Sequence, residues 1–122
     1  MSDFVSYLHE VFTDFGPIQT KRMFGGHGVY HDGLMFGLVA DDALYLKVDE
    51  EIRPLFEQQD LGPFEYNKQG KILKLSYHAA PPEILENREQ ASHWARLSFG
   101  AALRANAAKE NKKKRQNKPL SG

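Results

Sequence analysis

The sequence predicts an α+β fold of two layers, an antiparallel sheet covered on one face by helices in the order α-β-β-β-α-β-β-α. Three observations carry this. Apolar residues fall at helical spacing near both ends of the chain and alternate in between. The extended stretches are joined by short turns, which favour hairpins and hence antiparallel pairing. No cysteine and no long apolar run calls for a disulfide scaffold or a membrane span. At 122 residues, 41% hydrophobic and 26% charged, the chain has material for one core.

At the N-terminus Phe4, Leu8, Val11, Phe12 and Phe15 recur at helical intervals, with Ser2 or Asp3 as N-cap and Gly16-Pro17 as the stop. Residues 18–24 and 28–31 then read as extended, interrupted by Gly25, Gly26 and Gly28, where a bulge or bend lets two backbones approach. His31-Asp32-Gly33 turns the chain into residues 34–40, and Asp41-Asp42 turns it into 43–48, completing a three-strand meander. In the last of these strands Leu44, Leu46 and Val48 share one face while Tyr45 and Lys47 share the other. Residues 34–39 are apolar on both faces, which predicts that a second copy covers the side away from the helices, most simply in a two-fold dimer.

A short second helix is expected within residues 49–59, where Ile52, Leu55 and Phe56 are helically spaced and Pro54 fits only near the first turn. After Gly62-Pro63, residues 64–66 and 71–77 form a hairpin across Asn67-Lys68-Gln69-Gly70, with Leu73, Leu75 and Tyr77 on one face. Pro81-Pro82 ends that strand, and Asn87 with Gln90 opens the longest helix as a capping box. At about 100° per residue, Ala91, Trp94, Ala95, Ser98, Ala102 and Ala105 share a buried arc, opposite His93, Arg96, Gly100 and Arg104.

The 16 basic and 16 acidic side chains cancel, but not locally. From residue 105 onward Lys109, Lys112, Lys113, Lys114, Arg115 and Lys118 stand against Glu110 alone, a net of +5, so residues 1–104 carry −5. The division predicts a folded domain over residues 1–105 and a flexible basic tail over 106–122 whose six cations are candidate contacts for DNA, without sequence preference. Lys21, Arg22, His93, Arg96 and Arg104 are candidate contacts for a phosphate or a partner protein; on an exposed face such residues also serve as plain solvation.

Catalytic patterns are weak. His27 and His31 are spaced like a helical metal pair, but the glycines between them forbid a helix, and on a strand they stand about 13 Å apart. Gly25-Gly26-His27-Gly28 leads into a strand, whereas a phosphate loop delivers its anion to a helix N-terminus. No serine sits in a nucleophile elbow, and Asp41-Asp42 and Glu50-Glu51 fit turn and helix-start roles. No enzyme, cofactor or metal is expected. The N-terminus lacks a basic stretch before an apolar one, so the expectation is a soluble cytoplasmic protein.

The run from Lys21 through Arg22, Met23, Phe24, Gly25 and Gly26 to Tyr30 is followed by Leu34-Met35-Phe36-Gly37 and Leu44-Tyr45-Leu46. Pro63-Phe64-Glu65-Tyr66, Ser76-Tyr77 and Trp94-Ala95-Arg96 come later. Together they resemble the N-terminal domain of the TfoX/Sxy competence regulators over about residues 3–105. The resemblance implies a two-layer fold like that of secretion chaperones, no catalysis, and a role in switching on DNA-uptake genes with the cyclic-AMP receptor protein. Two-domain relatives carry a second helical domain where this sequence has its basic segment, so a single-domain member is expected. A different class of function, a peptide-binding or chaperone-like module using the uncovered sheet face, is the alternative.

Overall fold

In a computed structural model, which describes residues 3–23 and 25–116, the chain begins with α1 (Asp3–Val11), β1 (Gln19–Met23), β2 (Gly26–His31), β3 (Leu34–Ala40) and β4 (Ala43–Lys47). It continues through α2 (Arg53–Glu57), β5 (Pro63–Lys68), β6 (Lys71–Ala79), a 3-10 turn (Pro82–Leu85) and α3 (Arg88–Gln116). The strands form one antiparallel sheet in the order β1-β2-β3-β4-β6-β5, and the helices pack on one face of it, the α+β class that the sequence predicts.

The element order needs one correction. The extended stretch before His31 is two strands: Gly25 takes a φ of 76° and reverses the chain, so that Met23 pairs with Gly26. The glycine read as a bend within a strand is a hairpin turn. Gly26 does bring two backbones together, because a Cβ there would run into the carbonyl oxygen of Val39. The other three hairpin turns, Asp32-Gly33, Asp41-Asp42 and Gln69-Gly70, have both residues at φ between 49° and 81°, as two-residue type I′ turns require. Asp41 and Asp42 are thus turn residues.

Pairing register sorts the side chains into two faces. Thr20, Val29, Gly37, Leu46 and His78 stand opposite one another across five strands on the helix side. Lys21, Gly28, Leu38, Tyr45 and Ala79 form the neighbouring row and face away. A bulge adds Phe36 to β3 opposite Val29, and its ring enters the core 5.5 Å from Phe12 and 5.1 Å from Phe15. Phe15 and Phe99 also hold the His31 ring, whose Nδ1 is 2.7 Å from the Pro17 carbonyl oxygen, so this histidine is a packing residue.

In α2 the helix is shorter than expected. The Asp49 carboxylate accepts N–H groups of Glu51 and Ile52 in a preceding turn, and Pro54 sits in the first helical turn, where its missing donor costs nothing. On α3, Ala91, Trp94, Ala95, Ser98 and Ala102 are buried as the arc predicts, and the Gln90 N–H donates to Asn87 Oδ1 as a cap. Ala101 is buried in place of Ala105, which is exposed because the helix has by then left the core.

One further expectation changes. Burial ends at Ala102, but the segment expected to be a flexible tail from residue 106 is helical as far as Gln116, in keeping with its Ala, Lys, Arg, Glu and Gln content. Lys118 and Phe24 lie outside the described residues. The side of β3 away from the helices is covered within the chain: Leu38 there is only 3% exposed because the β5–β6 hairpin curls over that face.

Trp94 is 5% exposed, with its ring 5.0 Å from that of Phe56. Trp94→Ala is therefore expected to cost about 3 to 5 kcal/mol in urea unfolding, with a matching fall in Tm. A variant as stable as the parent would place Trp94 outside the core.

Candidate functional site

The candidate residues fall into three places. Lys109, Lys112 and Lys113 are exposed on the part of α3 beyond the last buried residue. At spacings of three and four they share one side of the helix. Lys114 and Arg115 follow on the same helix. The stretch from residue 103 to Gln116 is roughly 20 Å long at the helical rise.

His93 and Arg96 are exposed on the solvent side of α3, while Lys21 lies on the opposite surface of the molecule, on β1. They do not form one patch. Arg22, next on β1, is exposed and pairs opposite His27 on the face opposite to Lys21. Arg104 is engaged within the chain. Its Nε donates to Asp49 Oδ2 at 2.6 Å, its second amine to Asp49 Oδ1 at 3.2 Å, and its remaining one reaches Glu51 at 2.8 Å. The fork ties the first exposed turn of α3 to the turn before α2, and the Arg104 hydrogen bonds hold the Asp49 carboxyl below its ordinary pKa. Arg104 thus braces α3 against the turn before α2.

Beside this brace an open cleft of about 660 Å³ is lined by Lys47, Asp49, Glu50, Arg53, Glu57, Lys74 and His78, among others. Mixed charges meet there, and two of the groups are engaged within the chain. Both Asp49 oxygens are taken up by Arg104 and backbone N–H groups. His78 is buried, with Nδ1 2.7 Å from the Leu61 carbonyl oxygen and its ring against Phe56. Among the described residues no three of His, Asp and Glu are grouped to hold a metal ion, and no helix is long and apolar enough to cross a membrane.

The third place is the sheet face away from the helices. Curling of the β5–β6 hairpin makes it concave and encloses a hollow of about 180 Å³ lined by Met23, Leu38, Phe64, Tyr66, Lys68 and Leu75, among others. Phe64 packs against Tyr45 at 4.9 Å. Gly28 leaves the room in which Met23, Tyr30 and Met35 meet, since a Cβ there would lie 2.7 Å from the Met23 sulfur. The Lys21 amine sits 4.9 Å from the Tyr30 ring centre and that of Lys47 5.2 Å from Tyr77. Burial lowers the Lys47 pKa, with Asp49 opposing. Sequence alternation had placed Tyr45 and Lys47 here; it could not pair Lys47 with Tyr77, which lies 30 residues away in the chain.

Of the motif residues, Arg22 and Met23 lie on β1, Gly25 and Gly26 shape the first hairpin, and Trp94 is core. The motif is thus largely a folding signature. A family described as the TfoX N-terminal domain matches residues 10–102. The DNA transformation protein TfoX1 of Aliivibrio fischeri is 28% identical over 127 residues, covering 95% of this chain and 56% of its own length. Protein Sxy of Escherichia coli is 22% identical over 110 residues, covering 90% of this chain and 53% of its own. The chain spans about half the length of these relatives.

Burial, with a smaller contribution from Tyr30, pushes the Tyr77 pKa up to about 12. Tyrosines of the unfolded chain ionise near pH 10, so the stability linked to this shift is intact below about pH 10 and is lost as the pH rises through about 12. Urea titrations across that window are expected to show a loss of about 2 to 3 kcal/mol that is absent in Tyr77→Phe. Equal pH dependence in parent and variant would show that Tyr77 is not held neutral by the fold.

Proposed function

The chain belongs to the TfoX N-terminal domain family, and from that membership we propose that it is a non-enzymatic regulator of DNA-uptake genes. It would act through a protein of the transcription machinery, the cyclic-AMP receptor protein being the one that the resemblance implies, and through sequence-independent contact with duplex DNA. The names of its relatives, a DNA transformation protein and Sxy, support the process.

The observation that carries the DNA contact is the exposed part of α3. It presents Lys109, Lys112 and Lys113 on one side of a helix, clear of a body whose net charge is −5. A rigid row of cations displaces phosphate counterions while the distance it gains lessens repulsion from the body. The alternative, a peptide-binding module on the concave face, is supported by the apolar hollow, which at about 180 Å³ is below the size of ordinary ligand pockets and suits a single inserted group.

The test is a titration of duplex DNA at several salt concentrations with the parent chain and with Lys109→Gln/Lys112→Gln/Lys113→Gln. Glutamine keeps the helix propensity of lysine, and circular dichroism checks that the helix survives. Each lost contact is expected to flatten the log-log salt slope by about 0.9 and to weaken binding equally for unrelated sequences. An unchanged affinity and slope would remove the helix extension from any role in DNA contact.

A further inference from the structure

The strands divide their charged residues unevenly between the sheet's two faces. Its strands contain a single carboxylate, Glu65, and register pairs it with Lys74 on the face opposite to Tyr66. The concave face therefore carries no acid from any strand. It carries Lys21, Lys47, Lys68 and Lys71, together with the rings of Tyr30, Tyr45, Phe64, Tyr66 and Tyr77. The acidic residues of the chain sit in helices and turns, as Asp32, Asp41 and Asp42 do.

We infer that this concave face binds single-stranded nucleic acid, with bases stacked on its tyrosines and phosphates met by its lysines. Unstacked bases present flat apolar faces to aromatic side chains, while the backbone needs cations beside each ring. Both parts occur here as units: the Lys21 amine lies over the Tyr30 ring and the Lys47 amine over the Tyr77 ring, cation–π contacts that a stacking base would replace, freeing each amine for a phosphate. The two units lie on the same face, Tyr30 on β2 and Tyr77 on β6. Tyr30, Tyr45, Tyr66 and Tyr77 are all half-buried, so packing restrains each of them while part of each residue meets solvent. Little side-chain entropy remains to be lost when a base stacks.

Charge complementarity selects the occupant. A face free of strand carboxylates attracts a polyanion, and its aromatic content exceeds what phosphate contact alone would use. A duplex would meet the rim of the curled sheet without offering base faces to the rings inside it. This surface is separate from the basic side of α3, and the inference does not depend on the duplex contact proposed there.

The experiment is fluorescence anisotropy of labelled oligothymidylate titrated with the full chain at several salt concentrations. Binding is expected at low salt, weakened by at least about fivefold in Tyr30→Ser and held within about twofold in Tyr30→Phe, because only the serine removes the stacking surface. Lys21→Gln, on an exposed strand position, is expected to flatten the salt slope, and serves if Tyr30→Ser shows a lowered Tm. The variant with glutamine at 109, 112 and 113 should keep the dependence on Tyr30. Absence of binding at low salt would overturn the inference, as would equal affinity for Tyr30→Ser and Lys21→Gln or loss of the Tyr30 dependence in the helix variant. A short acidic peptide that shifts the Tyr30 and Tyr77 resonances where the oligonucleotide does not would assign the face to peptide instead.

Discussion

The small-residue face of α3 lets a long helix lie close against β3 and β4, and this contact decides which surface of the sheet is left open. Ala91, Ala95, Ser98, Ala101 and Ala102 are buried there around the single large anchor Trp94. Small side chains allow the helix axis to approach the sheet, and the aromatic group of Phe12, Phe15, Phe36 and Phe99 fills the space beside it. With α1 and α2 docked on the same core, no helix among the described residues covers the other face.

That other face is still partly apolar, and the chain handles it by curvature. A strand apolar on both sides ordinarily asks for a second layer or a partner. Here the irregular pairing of β5 with β6, where Pro63 meets His78 but Glu65 meets Lys74, lets the hairpin bend over Leu38 and supply Phe64, Tyr66 and Leu75 as the second layer. What the bend leaves exposed is a mixed floor of tyrosine, methionine and lysine, too polar to demand cover and too aromatic to be plain solvent surface.

Much of this was legible in the sequence because it is local. The α1 spacing, the Asp-Gly turn, the alternation in β4 and the arc of α3 each follow from neighbouring residues, and the structure contains them all. The misses are of another kind. Gly25 as a hairpin turn and Gly26 as a bend permit similar sequences, and only the close passage of Val39 decides between them. Arg104 looks free on its helix, because Asp49, the carboxylate that captures it, is 55 residues away in sequence. The basic segment reads as disordered by charge, yet its residues are good helix formers continuing a helix already nucleated, so no new nucleation cost is met.

Net charge is consequently a poor guide to what this molecule attracts. At physiological ionic strength a charge is felt over about 8 Å, shorter than the roughly 20 Å of α3 beyond its buried part. A ligand approaching the end of that helix meets lysines and little of the acidic body. On the concave face the strands present Lys21 and Lys47 and no carboxylate. The two basic surfaces also differ in what salt does to them. On the helix the attraction is entirely ionic and fades as counterions compete. On the sheet the lysines stand beside rings, so a base stacked there would keep contact after the phosphates are screened. If both contacts are made, the fold separates a purely ionic, sequence-blind attraction from one that also uses stacking, although the chain that carries both is neutral as a whole.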